Sequence, residues 1–333
     1  MTTELVTKPT GASLQRLAEQ SWERIGPDSL LIFEGERFSG GQLAERTRRL
    51  AQGLIDAGLR PGERVVLCMA NCPEVGIAYN AVWRAGGVNT PVLFLLSDDE
   101  LRHVLSDSEA SYVITTPDFL PKVQAAGAGL PSLRGVILAT GESAGTMSYA
   151  ELESAAEGSL VDRDPTEMAA LLYTGGTTGR SKGVMLSHDA MSAAAWAAVT
   201  RSHDPQMGVA LTPLPLSHAY GLLVSTLGLH APDGTTSVLM RWFDPAGWLA
   251  LAVKHRATIG AVVPSMLQML LALPLEEHDL SSLRRMTSGG APLLAEVRAE
   301  MARRLPDVEL MEGYGLTETA ALASSSPPGA VRP

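Results

Sequence analysis

Two rhythms of apolar residues alternate along most of the chain: one recurs every three to four positions, the other forms short unbroken or alternating runs. Leu14, Leu17, Ala18 and Trp22 fit a helix over residues 14–24, and residues 30–33 read as a strand ended by the Glu34-Gly35-Glu36 turn. Residues 42–57 predict a helix with Leu43, Leu50, Leu54 and Ile55 near one face and Gly58 as its stop. Strands follow at 64–69, 88–93, 112–115 and 136–139, with helices at 73–85 and 98–105 between them. Apolar runs at 168–173 and 184–186 flank a loop of glycine and threonine. Beyond it come a helix of small residues over 190–199, capped by Ser187 or Asp189, a strand at 209–211 and a helix at 221–229. A strand near Val238, a helix at 245–255, a strand at 258–263 and a helix at 265–273 continue the pattern. It closes with a strand at 283–288, a helix reaching Arg304 and a strand at 308–311. Short β runs alternating with helices predict open α/β layers, and no repeat of fixed period is visible.

Composition narrows the setting. A chain of 333 residues with 45% apolar content can bury a large core, and its length suggests roughly two domains. The formal net charge is −10, from 26 basic and 36 acidic residues, and basic runs stop at pairs such as Arg48-Arg49 and Arg303-Arg304. That balance argues against a nucleic-acid partner, and Arg46, Arg48 and Arg49 read as a solvated helix face. Cys68 and Cys72 lie four apart with no histidine cluster, so packed thiols in a reducing compartment are expected rather than a metal site. Residues 1–10 carry Glu4 and no apolar core, and the apolar window 259–275 is broken by Pro264, Ser265 and Gln268. The expectation is a cytoplasmic protein without a membrane span, its oligomeric state left open.

Four segments carry candidate chemistry. Residues 171–188 hold Gly175, Gly176 and Gly179, Thr174, Thr177 and Thr178, and Lys182. Glycines free the backbone to wrap N–H groups around an anion, hydroxyls add donors and lysine adds positive charge, which together suit a polyphosphate. The Walker pattern does not apply, because Lys182 follows Ser181 and Gly183 stands where a metal-binding hydroxyl belongs. A plain glycine-threonine hairpin loop is the alternative. In residues 212–221, Pro213 and Pro215 interrupt pairing and deliver His218 and Tyr220 at a strand end, where a lone histidine is either structural or functional. Gly289-Gly290-Ala291-Pro292 lets a flat ring approach the backbone, or is an ordinary strand-to-helix turn. After the last strand, Tyr314, Thr317 and Glu318 can stack a base, contact a phosphate and hold Mg²⁺, or form only a polar turn. A fifth pattern, Gly141 to Gly145 around Ser143, matches the G-x-S-x-G nucleophile elbow, yet no helix is expected to start directly after it, so it reads as a surface loop.

The run Tyr-Thr-Gly-Gly-Thr-Thr-Gly-Arg-Ser-Lys-Gly over 173–183 resembles the phosphate loop of the adenylate-forming superfamily of acyl-CoA synthetases, luciferases and peptide-synthetase adenylation domains. Gly176 replaces the usual Ser and Ser181 the usual Pro, departures familiar among fatty-acid ligases. Residues 212–221 resemble the Pro-Leu-Phe-His motif, and Tyr-Gly-Leu-Thr-Glu over 314–318 resembles the second signature. The resemblance implies that the loop Thr174 to Gly179 with Lys182 binds the β- and γ-phosphates of ATP. It implies Gly289, Gly290, Ala291 and Pro292, with Gly313, Tyr314 and Gly315, at the adenine. It also puts Thr317 at the α-phosphate, Glu318 on Mg²⁺, and His218, Tyr220, Gly221 and Gly289 at the acid substrate. Amino-acid-activating relatives carry an Asp near His218, and residues 216–221 contain no acid, which favours a fatty or other apolar acid without an α-amino group.

The implied fold is two stacked α/β subdomains with mostly parallel sheets, as in the N-terminal domain of acyl-CoA synthetases. The expected division is one subdomain over about 40–200, a second over about 10–39 and 201–323, and a linker at 324–333. The family's β-barrel subdomain and mobile C-terminal domain find no counterpart in the sequence. The implied activity is ATP-dependent joining of a carboxylic acid to coenzyme A, or to carrier phosphopantetheine, through an acyl adenylate, with the chain acting as part of a larger enzyme. A non-catalytic nucleotide- or acyl-binding module and an esterase using Ser143 are the rivals.

Overall fold

The computed structural model describes residues 11–24, 29–175, 180–202, 208–232 and 234–326. Its strands form two sheets. The seven-stranded sheet runs, from one edge, Met147–Ser148, Gly135–Leu138, Tyr112–Thr115, Arg64–Cys68, Val88–Pro91, Met168–Thr174 and Lys182–Ser187, parallel throughout except for the last pair, an antiparallel hairpin. The eight-stranded sheet runs Ser324–Ser325, Glu309–Tyr314, Arg285–Ser288, Ile259–Val262, Val209–Thr212, Thr236–Leu239, Leu30–Phe33 and Glu36–Ser39. Its six inner strands are parallel, and the strand at each edge is antiparallel to its neighbour.

Parallel strands need crossover helices on both faces, so their sequences are apolar without alternation. Arg64–Cys68 illustrates this. Val65 and Leu67 join a core with the helices Gly40–Asp56 and Pro73–Arg84, while Val66 and Cys68 point to the opposite core under Asp98–Asp107 and Leu120–Gly127. Burial pushes the Cys68 thiol up to about 12, so it stays protonated and packs as a small apolar group. Trp83 is buried in the first core and donates its indole N–H to the Ala169 carbonyl at 2.9 Å.

Most element boundaries match the sequence reading within a few residues. The helix expected at 42–57 begins earlier, at Gly40, because Ser39 caps it: the Ser39 hydroxyl accepts the Gln42 N–H at 3.2 Å and the Gln42 side chain takes the Ser39 N–H at 2.8 Å. The helix Leu120–Gly127 was not anticipated, since Pro121 and small residues mask its period. Ser143 lies exposed in a turn where its carbonyl takes the Thr146 N–H, and the next helix starts only at Tyr149. A nucleophile elbow is not formed there.

His188 ties the hairpin to the chain's first described helix. Its Nδ1 accepts the Leu14 N–H at 3.3 Å at the start of Leu14–Arg24. The ring is buried, and desolvation with the nearby Arg163 charge holds its pKa down at about 4.

Candidate functional site

In a parallel α/β sheet, the loops after the strands gather at one edge, and that is where ligands bind. The eight-stranded sheet has such an edge and, beneath it, a cavity of about 560 Å³. One wall is the sheet face bearing Arg285, Thr287 and Gly289, with Ile259 and Ala261 beside them in register and Met311 on the other side. The facing wall is the helix Ala219–Leu227, which presents Tyr220, Leu223, Val224 and Leu227. The sheet's opposite face is filled by Met286, Val262 and the helices Pro245–Lys254, Pro264–Leu271 and Ala295–Arg304.

At the mouth, two glycines stand close to neighbouring backbone. A Cβ on Gly289 would lie 3.1 Å from the Gly313 carbonyl oxygen, and one on Gly315 would meet the Ala321 oxygen at 1.8 Å. The short turn Thr317–Thr319 is followed by Ala320 and Ala321 at φ 51° and 75°, two successive left-handed residues that are not glycine. Such backbone is strained and persists only where its surroundings dictate it. Thr317 and Glu318 line the cavity from this turn. Glu312 lines it too, and pairs with Arg298 of the adjacent helix.

His218 caps the helix Ala219–Leu227, its Nδ1 accepting the Tyr220 N–H at 3.2 Å. That bond requires an unprotonated Nδ1, which places the neutral ring's proton on Nε2. Surrounding protein lowers the His218 pKa by desolvation, which favours the same neutral form. The Tyr220 hydroxyl lies 3.2 Å from the Thr287 hydroxyl, and burial raises its pKa, so it remains a phenol.

The loop leading to His218 is held from the other sheet. Asn71, buried after the strand Arg64–Cys68, donates to the carbonyls of Leu214 and Met240 at 2.8 and 2.9 Å and accepts the Leu216 N–H at 2.8 Å. The Tyr79 hydroxyl donates to the Leu216 carbonyl at 2.8 Å. These bonds satisfy backbone groups that the prolines of residues 212–218 leave without ladder partners.

The hairpin reaches the cavity at Thr174 and Gly175. Thr174 pairs directly with Lys182, so their side chains share one face of the hairpin, although Lys182 is exposed and not part of the cavity wall. The stem is braced by Asp98–Asp107: His103 Nε2 lies 2.9 Å from the Ser181 carbonyl, and the Tyr173 hydroxyl donates to Asp107 at 2.7 Å. Gly176, Thr177, Thr178 and Gly179 lie outside the described residues.

Of the residues singled out in the sequence, Thr174, Gly175, His218, Tyr220, Gly289, Gly290, Gly313, Gly315, Thr317 and Glu318 therefore line one cavity. Lys182, Gly221, Ala291, Pro292 and Tyr314 do not line it. Gly221 has a packing duty instead, since a Cβ there would sit 2.0 Å from the Pro215 carbonyl oxygen. Tyr314 is exposed beside the mouth. Sequence reading missed Arg285 and Asn71. Arg285 had a signal, a charged residue two and four positions before Thr287 and Gly289 on an otherwise uncharged strand face. Among the described residues no group of three or more His, Cys, Asp or Glu is placed to hold a metal. Two carboxylates line the cavity, Glu318 and the Arg298-paired Glu312, and that suits Mg²⁺, which takes one or two protein carboxylates and completes its shell with phosphate oxygens and water.

The family model for AMP-binding enzyme matches residues 18–333. The chain belongs to the AMP-binding enzyme family. Within that family it is 35% identical over 303 residues to 4-coumarate–CoA ligase 5 of Oryza sativa subsp. japonica, covering 87% of this chain and 54% of the relative. It is likewise 35% identical over 311 residues to feruloyl-CoA synthase of an Amycolatopsis species, covering 89% and 58%. ATP-bound MatB from Rhodopseudomonas palustris superposes with a TM-score of 0.84 at 30% identity, over 96% of this chain and 63% of MatB. The two-sheet architecture is that of the N-terminal domain of acyl-CoA synthetases. This AMP-binding family member spans about half the length of the curated relatives it matches. Among its described residues no helix is long and apolar enough to cross a membrane.

Proposed function

We propose that the chain provides the adenylation site of an acid–thiol ligase that acts on a carboxylic acid lacking an α-amino group. A carboxylate oxygen of the acid attacks the α-phosphorus of ATP, the bond from that phosphorus to the β-bridging oxygen breaks, and pyrophosphate leaves. The acyl adenylate then passes its acyl group to the thiol of coenzyme A or of a carrier. The observation that carries this reading is the meeting of Thr174 and Gly175, His218, Gly289 and Gly290, and Thr317 and Glu318 around one cavity. Both curated relatives are named for CoA chemistry, and MatB is named with bound ATP.

Catalysis here would come from position and charge. The hairpin from Thr174 to Lys182 would hold the β- and γ-phosphates, the glycines at 289–290 and 313–315 with Ala291, Pro292 and Tyr314 would seat the adenine, and Thr317 would donate to the α-phosphate. Glu318 would hold Mg²⁺, whose role is to offset phosphate charge. Neutral His218 would border the carboxylate and supply an Nε2 donor. The absence of an acid in residues 216–221 supports a substrate without an ammonium group. In the proposed domain layout the seven-stranded sheet marks one subdomain, about 40–200, the eight-stranded sheet the other, about 10–39 with 201–323, and 324–333 serves as a linker. The two buried free thiols, Cys68 and Cys72, suit a reducing cytoplasm.

Exchange of labelled pyrophosphate into ATP with a panel of acids tests the reading. Exchange that depends on one class of acid is the expected result. Lys182→Ala should slow it by about 10²–10³-fold, by comparison with other preorganised donors. Acid-independent ATP binding with no exchange would leave a binding module in its place.

A further inference from the structure

We propose that His103 and Asp107 are positioning residues: from one face of the helix Asp98–Asp107 they set the hairpin carrying Lys182 against the β- and γ-phosphates of a bound nucleotide. The inference rests on the reading above that this hairpin takes those phosphates. The end of the hairpin has little support within its own sheet. Lys182–Ser187 is an edge strand, and among the described residues the register of Met168–Thr174 with Val88–Pro91 consists of one pair, Asn89 with Ala170. From Leu171 to Thr174 the ladder partners among the described residues therefore come from the hairpin itself, Met185 to Lys182. A two-stranded ribbon alone is marginal in water, so its direction has to be imposed by something else.

The helix imposes it. His103 and Asp107 stand about one turn apart on one helix face, and each reaches a different arm of the hairpin. His103 Nε2 meets the Ser181 carbonyl at 2.9 Å, and because a carbonyl only accepts, that nitrogen carries the proton and donates it. Asp107 accepts from the Tyr173 hydroxyl at 2.7 Å, and the Tyr173 ring stands edge-on to the His103 ring with centroids 6.1 Å apart. Gly183, opposite Tyr173 in the register, leaves room for that ring: a Cβ there would lie 3.3 Å from Tyr173 Cζ. The helix is itself fixed, by the reciprocal cap between Ser97 and Glu100 and by Leu101, Val104 and Leu105 in the core. Tyr173 thus faces the helix, while the next pair, Thr174 and Lys182, takes the other face, where Thr174 lines the cavity. The Ser181 carbonyl belongs to the same planar peptide as the Lys182 N–H, so the His103 bond fixes the plane from which the lysine side chain departs.

Calorimetric titration of the chain with ATP and with AMP tests the proposal, because only ATP carries phosphates that the hairpin would meet. The native chain should bind ATP more tightly than AMP. His103→Leu should cut that preference about fivefold, the scale of one hydrogen bond, with AMP affinity and the urea unfolding midpoint unchanged. His103→Gln, which keeps a donor, should restore most of it. Asp107→Ala should cost about twofold, since its bond is open to solvent, and it reads the same preference should His103→Leu fail to fold. Equal affinity for the two nucleotides, no binding of either, or a preference that the variants leave intact overturns the inference. So does a loss shared equally by AMP, which marks a purely structural role. Acid-dependent pyrophosphate exchange, followed in parallel, reads the ligase assignment by itself. Exchange at subsaturating ATP that is the same in His103→Leu as in the native chain sinks the role of His103 and leaves the ligase standing. An ATP preference lost with His103 in a chain that shows no exchange does the reverse.

Discussion

The two sheets use the same strands-and-helices grammar to opposite ends. The seven-stranded sheet is covered on both faces, and its central strand Arg64–Cys68 packs into two separate cores. The eight-stranded sheet is filled on one face by Met286, Val262 and their helices, while its other face packs Phe33 and Leu239 into the first core at one end and is hollowed into the cavity at the other. One sheet supplies rigidity and the other supplies space. The side chains that cross between them, Asn71 and Tyr79, run from the filled sheet to the loop carrying His218 in the hollowed one. The lesson is that a cavity-bearing sheet can leave a face unfilled because its loops are braced from outside.

That contrast can be broken in graded steps. Trp83→Ala, in the filled sheet's core, should lower unfolding free energy by about 3–5 kcal/mol in urea titrations while acid affinity of the folded protein holds within about twofold. Lowering pH should act on the same side through His188. Its folded pKa of about 4 lies below the ordinary 6.5, so the unfolded chain binds the extra proton and stability falls as pH drops from about 6.5 to about 4. The loss is about 3 kcal/mol, and His188→Gln should flatten that part of the pH profile. Asn71→Leu should cost about 2–3 kcal/mol, because it strands three buried backbone groups. Unlike the first two changes, it should also weaken acid binding about tenfold while ATP binding holds. Thr287→Val, on the hollowed face, removes the partner of the Tyr220 hydroxyl and should change stability by about 1 kcal/mol or less, its effect read in acid affinity. Equal losses of stability and acid binding in Trp83→Ala, Asn71→Leu and Thr287→Val would erase the distinction between the sheets.

How much of this was legible beforehand follows from the range over which each feature acts. The glycine loops, the prolines before His218 and the alternation of strands with helices are local, and a reader of the sequence finds them. The Asn71 clasp joins residues 145 positions apart at Leu216, and nothing near Asn71 announces it. Gly221 shows the converse. Its position beside His218 suggested substrate contact, whereas the space it lacks is taken by the backbone at Pro215. Arg285 stood in plain view on a strand, yet its meaning depends on which face of that strand is left open. The early start of the helix at Gly40 was hidden because glycines there argue against a helix until the Ser39 cap is counted.

The turn after Thr317 holds Ala320 and Ala321 in the left-handed region, and the two differ in setting. Ala320 is buried against the main core, whereas Ala321 borders the cavity. Glycine at 320 would relax the backbone by roughly 1 kcal/mol but forfeit about 0.8 kcal/mol of packed methyl, so the two nearly cancel. Glycine at 321 would relax the backbone with no such forfeit. The tension in this corner can thus be tuned like a screw, from the cavity side, with the rest of the molecule indifferent to the setting.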